Sequence, residues 1–338
     1  MYFDVIMPTA LFIVTIVAAF LNGRIEKRLK TTVEEREMRS RDAILLVAMI
    51  SIMVSIIVFV PQLAIMAVFL FSYSALLFTF SYIFSNMQSA RAQLFCAAFA
   101  VASLAAGLVS ALNIFSGGLM VYGTGAFFGL AAFAFLAVLY EMERPETKER
   151  WYLAVLPPIL FIFLYLFYNG TPVWFPYLLD TYGVIFAVLI ILYLGSLFTW
   201  KNALLFAGLL TIMDIILVLF TGTMVSAAKH VSGLGLPVLI SLPTIPLILK
   251  PEGMLYMSLG LGDFFFAGIL ATQTLKKFGK KTAVISIFAM CVSFAIFETF
   301  LLNSTNLVAF PGTLMIICGW LPIVGWKTLN SKKAVTAD

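Results

Sequence analysis

Gly260-Leu261-Gly262-Asp263 is the stretch that decides how this sequence is read. It lies within residues 254–275, an apolar run long enough to cross a bilayer as a helix. An aspartate at the centre of such a helix raises its insertion free energy by roughly 2.5–3.5 kcal/mol, so function is the default reason for one to be there. The glycines beside it weaken the helix and let another backbone approach closely. The preceding apolar run, residues 203–228, holds the one other acid at comparable depth, Asp214. Neither run contains a Lys or Arg. The two carboxylates therefore read as acids facing each other rather than as halves of ion pairs.

Composition sets the class. Of 338 residues 62% are hydrophobic and 11% charged, against about 45–50% and 25% in soluble domains. The expected fold is an all-α polytopic membrane protein. Eleven spans are predicted, at residues 5–22, 43–60, 63–85, 93–115, 119–140, 151–168, 177–199, 203–228, 254–275, 282–302 and 308–326. Pro61 separates the second from the third, since its ring breaks a helix. With the N-terminus outside, all of the 21 Lys and Arg except Lys229 and Lys250 fall in inside loops or the inside C-terminal tail. That asymmetry follows the positive-inside rule. Residues 6–21 read as a first anchor rather than a cleavable signal, because no positive segment precedes them.

The same residues exclude several functions. Cys96, Cys291 and Cys318 all fall in apolar runs, which argues against a disulfide framework or a thiolate metal site. The single histidine, His230, rules out HExxH zinc chemistry and a membrane-embedded Ser–His device. No metal or cofactor is expected. The net charge of +5 belongs to the loops and does not mark a nucleic-acid surface.

The remaining polar positions read as structural. Residues 23–42, with Glu34, Glu35 and Glu37 among bases, form a solvated inside connector. Residues 229–253, with Pro237, Pro243, Pro246 and Pro251, form a long outside loop that lies in the interface or covers a site. Glu298 reads as a solvated residue near a helix end, Asp180 as a helix N-terminal residue, and His230 as a loop residue. Phe264, Phe265 and Phe266 read as lipid-facing or packing residues, and Thr223 and Ser226 as bonding within their helix. Asn169-Gly-Thr171 and Asn303-Ser-Thr305 are outside sequons.

Two carboxylates about 3 Å apart share one proton, because like charges at that distance do not both ionise. Such a pair holds a base to activate water and an acid to protonate the oxyanion of an attacked peptide. A proton- or cation-binding pair in a secondary transporter or ion leak channel is the other chemistry such acids support.

Here the sequence resembles a known family. Gly260-Leu261-Gly262-Asp263 followed by Gly268-Ile269 looks like the GxGD signature of intramembrane aspartyl proteases, presenilin and signal peptide peptidase. Residues 214–229, from Asp214 through Thr221, Met224, Val225, Ser226 and Ala228 to Lys229, are similar to the helix carrying that family's other aspartate. Met213 stands where the family has tyrosine. Pro311-Gly312-Thr313-Leu314 stands where it has Pro-Ala-Leu, and the resemblance assigns these residues to substrate positioning. It further implies Asp214 and Asp263 as the catalytic pair, with Gly260, Leu261 and Gly262 shaping the active-site backbone. The implied fold is a presenilin-like nine-helix core over residues 63–326, divided at 63–202 and 203–326, behind an extra N-terminal hairpin, 1–62, and before an inside tail, 327–338. The implied substrates are transmembrane helices or signal-peptide remnants, cut within the lipid bilayer. The inside C-terminus resembles signal peptide peptidase, whose relatives act without partner subunits. A prokaryotic or archaeal member would sit in the plasma membrane, a eukaryotic one in an endoplasmic-reticulum or endosomal membrane. A prepilin-peptidase-like enzyme also uses a GxGD aspartate, but it places its first aspartate near an inside loop and often carries paired cysteines. Neither feature is present.

Overall fold

The computed structural model describes residues 2–32, 39–57, 62–114, 122–143, 150–250, 253–304 and 309–335. Glu34, Glu35, Glu37, Pro61, Pro251 and Thr305 lie outside them. The chain forms two compact units, one of residues 1–60, 180–233 and 237–338 and one of residues 61–179 and 234–236. Among the described residues nine helices are long and apolar enough to cross a membrane. The protein is an integral, multi-pass, mainly helical membrane protein.

The second unit is a helical bundle of α3 (Gln62–Ile83), α4 (Ser89–Ala111), α5 (Gly123–Glu143) and α6 (Trp151–Tyr168). Its interior is aromatic, with Phe127 packed edge-on to Phe163, Phe167 and Tyr168. One ion pair is fully inside it. Arg150 Nε bonds Glu141 Oε1 at 2.6 Å, Arg150 Nη1 donates to Met87 O at 2.8 Å, and Ser89 Oγ donates to Glu141 Oε2 at 2.9 Å. Arg150 is therefore not the loop charge that the sequence suggests; its burial is offset by the ion pair and by the added bonds to Met87 and Ser89. Residues 234–236 are tied to α6 and the turn after it by Tyr165 Oη and Asn169 Nδ2, which both donate to Leu234 O, and by Trp174 Nε1, which donates to Gly235 O.

The first unit carries both aspartates. It contains α1 (Ile6–Thr32), α2 (Ser40–Ile57), α7 (Leu179–Leu197), α8 (Trp200–Ile215), α9 (Thr223–Ser232), α10 (Leu261–Asn303) and α11 (Gly312–Val335). α1 and α11 both pack on α10, and α2 packs on α8 and α9. α10 has 43 residues, about 65 Å at ~1.5 Å per residue and so twice a hydrocarbon core. Gly279 breaks it with φ 81° and ψ 177°, between Lys276-Lys277 and Lys280-Lys281. The predicted spans 254–275 and 282–302 are thus two helices that meet at a glycine corner between two basic pairs.

Two segments differ from the sequence reading. Residues 203–228 are not one helix: α8 gives way to a π-helical turn at Ile216–Phe220, Gly222 adopts φ 65°, and α9 starts afresh. Thr221 and Thr223 pair their hydroxyls at 2.8 Å across that break, competing with helical geometry. Residues 229–260 are not a plain loop leading into a helix. β1 (Leu239–Pro243) pairs antiparallel with β4 (Tyr256–Gly260) in the register Ser241↔Ser258, and β2 (Leu249–Lys250) pairs with β3 (Gly253–Met254). The apolar run 254–275 is therefore strand first and helix second, and α10 begins only at Leu261.

Candidate active site

Asp263 sits in the first turn of α10 rather than at a helix centre, because strand β4 ends at Gly260, the residue that caps the helix. Leu261 anchors that junction: its N–H donates to Val238 O at 2.9 Å and its side chain is buried. The Gly260 N–H donates to the Asp263 carboxylate. A Cβ on Gly260 would lie 3.2 Å from Asp263 Oδ2, whereas one on Gly262 would meet nothing within 4 Å. Of the two motif glycines, Gly260 is the crowded one. Further along α10, Gly268 backs onto Ile191 of α7, where a Cβ would lie 2.6 Å from Cδ1. Phe264, Phe265 and Phe266 are buried in packing.

Asp214 is the penultimate residue of α8, just ahead of the π-helical turn, and is 8% exposed. Such turns are frequent at functional sites because they re-aim side chains. Its Oδ2 accepts two hydrogen bonds from one residue, Thr313 Oγ1 at 2.6 Å and Thr313 N at 3.2 Å. Thr313 is 4% exposed and belongs to the first turn of α11.

The residue before it meets the other aspartate. A Cβ on Gly312 would lie 2.6 Å from Asp263 Cγ and 2.8 Å from Oδ2. The start of α11 thus touches both carboxylates through consecutive residues, and Asp214 and Asp263 interact electrostatically. Pro311 is buried and its carbonyl accepts Met315 N at 3.2 Å, while Leu314 is half-buried on the same turn. Asp263 keeps a partly exposed side. No group of three or more His, Cys, Asp or Glu able to hold a metal occurs among the described residues.

A short sheet leads into this site. In an antiparallel pair, alternate residues turn their N–H and C=O toward the partner strand or away from it. The bonds from Leu261 N to Val238 O and from Thr244 N to Leu255 O put Ser241, Ser258 and Gly260 in the outward set. The outward N–H of Ser241 is taken by Asp180 Oδ1 at 2.7 Å. Asp180 therefore ties α7 to β1, a role its position near a helix start does not suggest. Ser258, on β4, has no backbone partner on its outer side among the described residues. The two serine hydroxyls bond each other at 2.7 Å.

Glu298 is not solvated. It is 1% exposed, both carboxylate oxygens lack a partner among the described residues, and the nearby Asp4 is occupied by the N–H groups of Ile6, Met7 and Ile245. His230 lies in the last turn of α9 rather than in the loop that follows it, with Nε2 buried. Ser226 Oγ donates to Gly222 O within its turn.

Paired aspartates within a polytopic helical membrane protein, entered from a short strand, define the class of intramembrane aspartyl proteases. A family model described as signal peptide peptidase matches residues 30–310, and the chain belongs to that family of GxGD proteases. The match takes in α2 and stops one residue short of Pro311. No curated protein and no solved structure matches the chain.

Proposed function

We propose that the chain is an endopeptidase that cuts transmembrane helices or signal-peptide remnants inside the bilayer, with Asp214 and Asp263 sharing a proton and activating water. The observation that carries this reading is the convergence of the two carboxylates on Gly312 and Thr313, at the end of β4. One carboxylate takes a proton from water as it attacks the scissile carbonyl, and the other protonates the developing oxyanion. The partly exposed side of Asp263 admits the water. Neither step calls for a metal or cofactor.

A helical substrate has every amide satisfied and must unwind locally before attack. The outer side of β4 supplies partners for the freed groups, by addition of the unwound segment as a third strand. β1 is the poorer edge, because Asp180 already occupies Ser241. Addition to β4 sets the substrate backbone beside Gly260, three residues before Asp263. The chain acts without partner subunits, in the plasma membrane of a prokaryotic host or an endoplasmic-reticulum or endosomal membrane of a eukaryotic one.

The test is cleavage of a model single-span substrate in liposomes by the wild type, Asp214→Asn and Asp263→Asn, with and without a transition-state-mimicking aspartyl protease inhibitor. Cleavage lost with either substitution and with the inhibitor is expected. Cleavage that survives both substitutions, or a folded wild type inert toward several substrates, overturns the reading and turns attention to ion flux.

A further inference from the structure

Resting on the proposed protease reading, we infer that Thr313 is a positioning residue of the dyad that holds Asp214 as its ionised, water-activating member. The resemblance assigns this position to substrate, but its polar atoms point elsewhere. Thr313 Oγ1 and N both donate to the same oxygen, Asp214 Oδ2. Two donors at one oxygen favour the ionised form of the group, because hydrogen bonds to a charged acceptor are the stronger ones. The N–H is one of the first in α11, without a partner inside its own helix, and the helix start favours negative charge. With Oδ2 occupied, Oδ1 is the atom of Asp214 left to take the proton from water.

Asp263 is held differently. Its backbone donor is the Gly260 N–H, and among the described residues the same turn of α11 adds none; Gly312 offers only the space of a missing Cβ. Two adjacent carboxylates that share one proton need an asymmetry to decide which carries it. Both carboxylates lie at a helix start, so the dipole does not choose between them; Thr313 does, with two donors to Asp214 against the single Gly260 N–H to Asp263. Asp214 is then the base, and Asp263 carries the shared proton and delivers it to the oxyanion. This division of labour follows from a threonine where the family pattern has leucine, a residue with no side-chain donor.

The test is cleavage kinetics of a single-span substrate in liposomes for the wild type, Thr313→Val, Thr313→Ala and Thr313→Ser, alongside Asp263→Asn. Valine keeps the shape and removes the hydroxyl; serine keeps the hydroxyl. Losing a hydrogen bond to a charged group predicts a roughly 10- to 100-fold fall in kcat for Val and Ala. KM is expected to stay unchanged, and Ser to restore most of the rate. A Val variant as fast as the wild type overturns the inference. So does a rise in KM at constant kcat, which is the mark of a substrate contact. A Ser variant as slow as Val, with both melting earlier than the wild type, overturns it too. A wild type that does not cleave removes the protease reading itself, and this inference with it. A cleaving wild type with an inert Asp263→Asn and an unaffected Thr313→Val removes this inference alone.

Discussion

Gly312 lies so close to Asp263 that a Cβ at 312 would come within 2.6 Å of the carboxyl carbon. The aspartate occupies the space a side chain would fill. Gly312→Ala brings the sequence nearer to the Pro-Ala-Leu pattern, yet here it is expected to displace Asp263 or the start of α11. Overpacking of this size costs about 1–3 kcal/mol, and a displaced aspartate loses its alignment with water. Cleavage should fall by at least an order of magnitude; an Ala variant with wild-type cleavage would show that the turn yields freely.

Asp180 and Ser241 make the second testable contact. Asp180→Ala leaves the buried Ser241 N–H without its acceptor, at a cost of about 1–3 kcal/mol. The expected result is a lower unfolding temperature in detergent, with hydrogen exchange at β1 rising before exchange at α10. Equal protection of β1 in variant and wild type contradicts the contact.

Much of the site was legible because a carboxylate in an apolar run has no bland explanation. Asp214 and Asp263 stand out by chemistry alone, and so does the Pro311–Leu314 stretch once the signature is seen. The strand before Asp263 was hidden. Tyr256-Met-Ser-Leu-Gly260 is as apolar as the helix that follows, and a short apolar run reads as either structure. The break after Asp214 was signalled by Thr221-Gly222-Thr223, residues that favour turns, but their hydrophobic flanks masked it. The bond from Thr313 to Asp214 spans 99 positions and leaves no trace in local sequence.

Glu298 is the one buried carboxylate with both oxygens unpartnered among the described residues. An unpaired polar group in such a place is a net loss to folding. Glu298→Met, similar in length and free of charge, is expected to stabilise the protein by about 1–3 kcal/mol without touching the dyad. Thermal unfolding in detergent decides it; a lower unfolding temperature would mean that Glu298 holds a partner in the folded membrane protein.

The Arg150–Glu141 pair predicts the opposite sign. Arg150→Met strands Glu141 with, among the described residues, Ser89 as its remaining donor, and breaking a buried pair by removing one partner costs about 3–5 kcal/mol. Loss of folded protein on size-exclusion chromatography is expected. Replacing both residues together, Arg150→Met with Glu141→Leu, should recover much of it, and a double variant no better than the single one would deny that the pair is the cause.

The direct join of β4 to the Asp263 turn has one more consequence. If strand addition positions the peptide bond, the enzyme selects substrates by how readily their helices fray, more than by the shape of any one side chain. Glycine or other weak helix formers near the cut would then act as a recognition element, and a stiff leucine–alanine helix of the same length would pass by uncut.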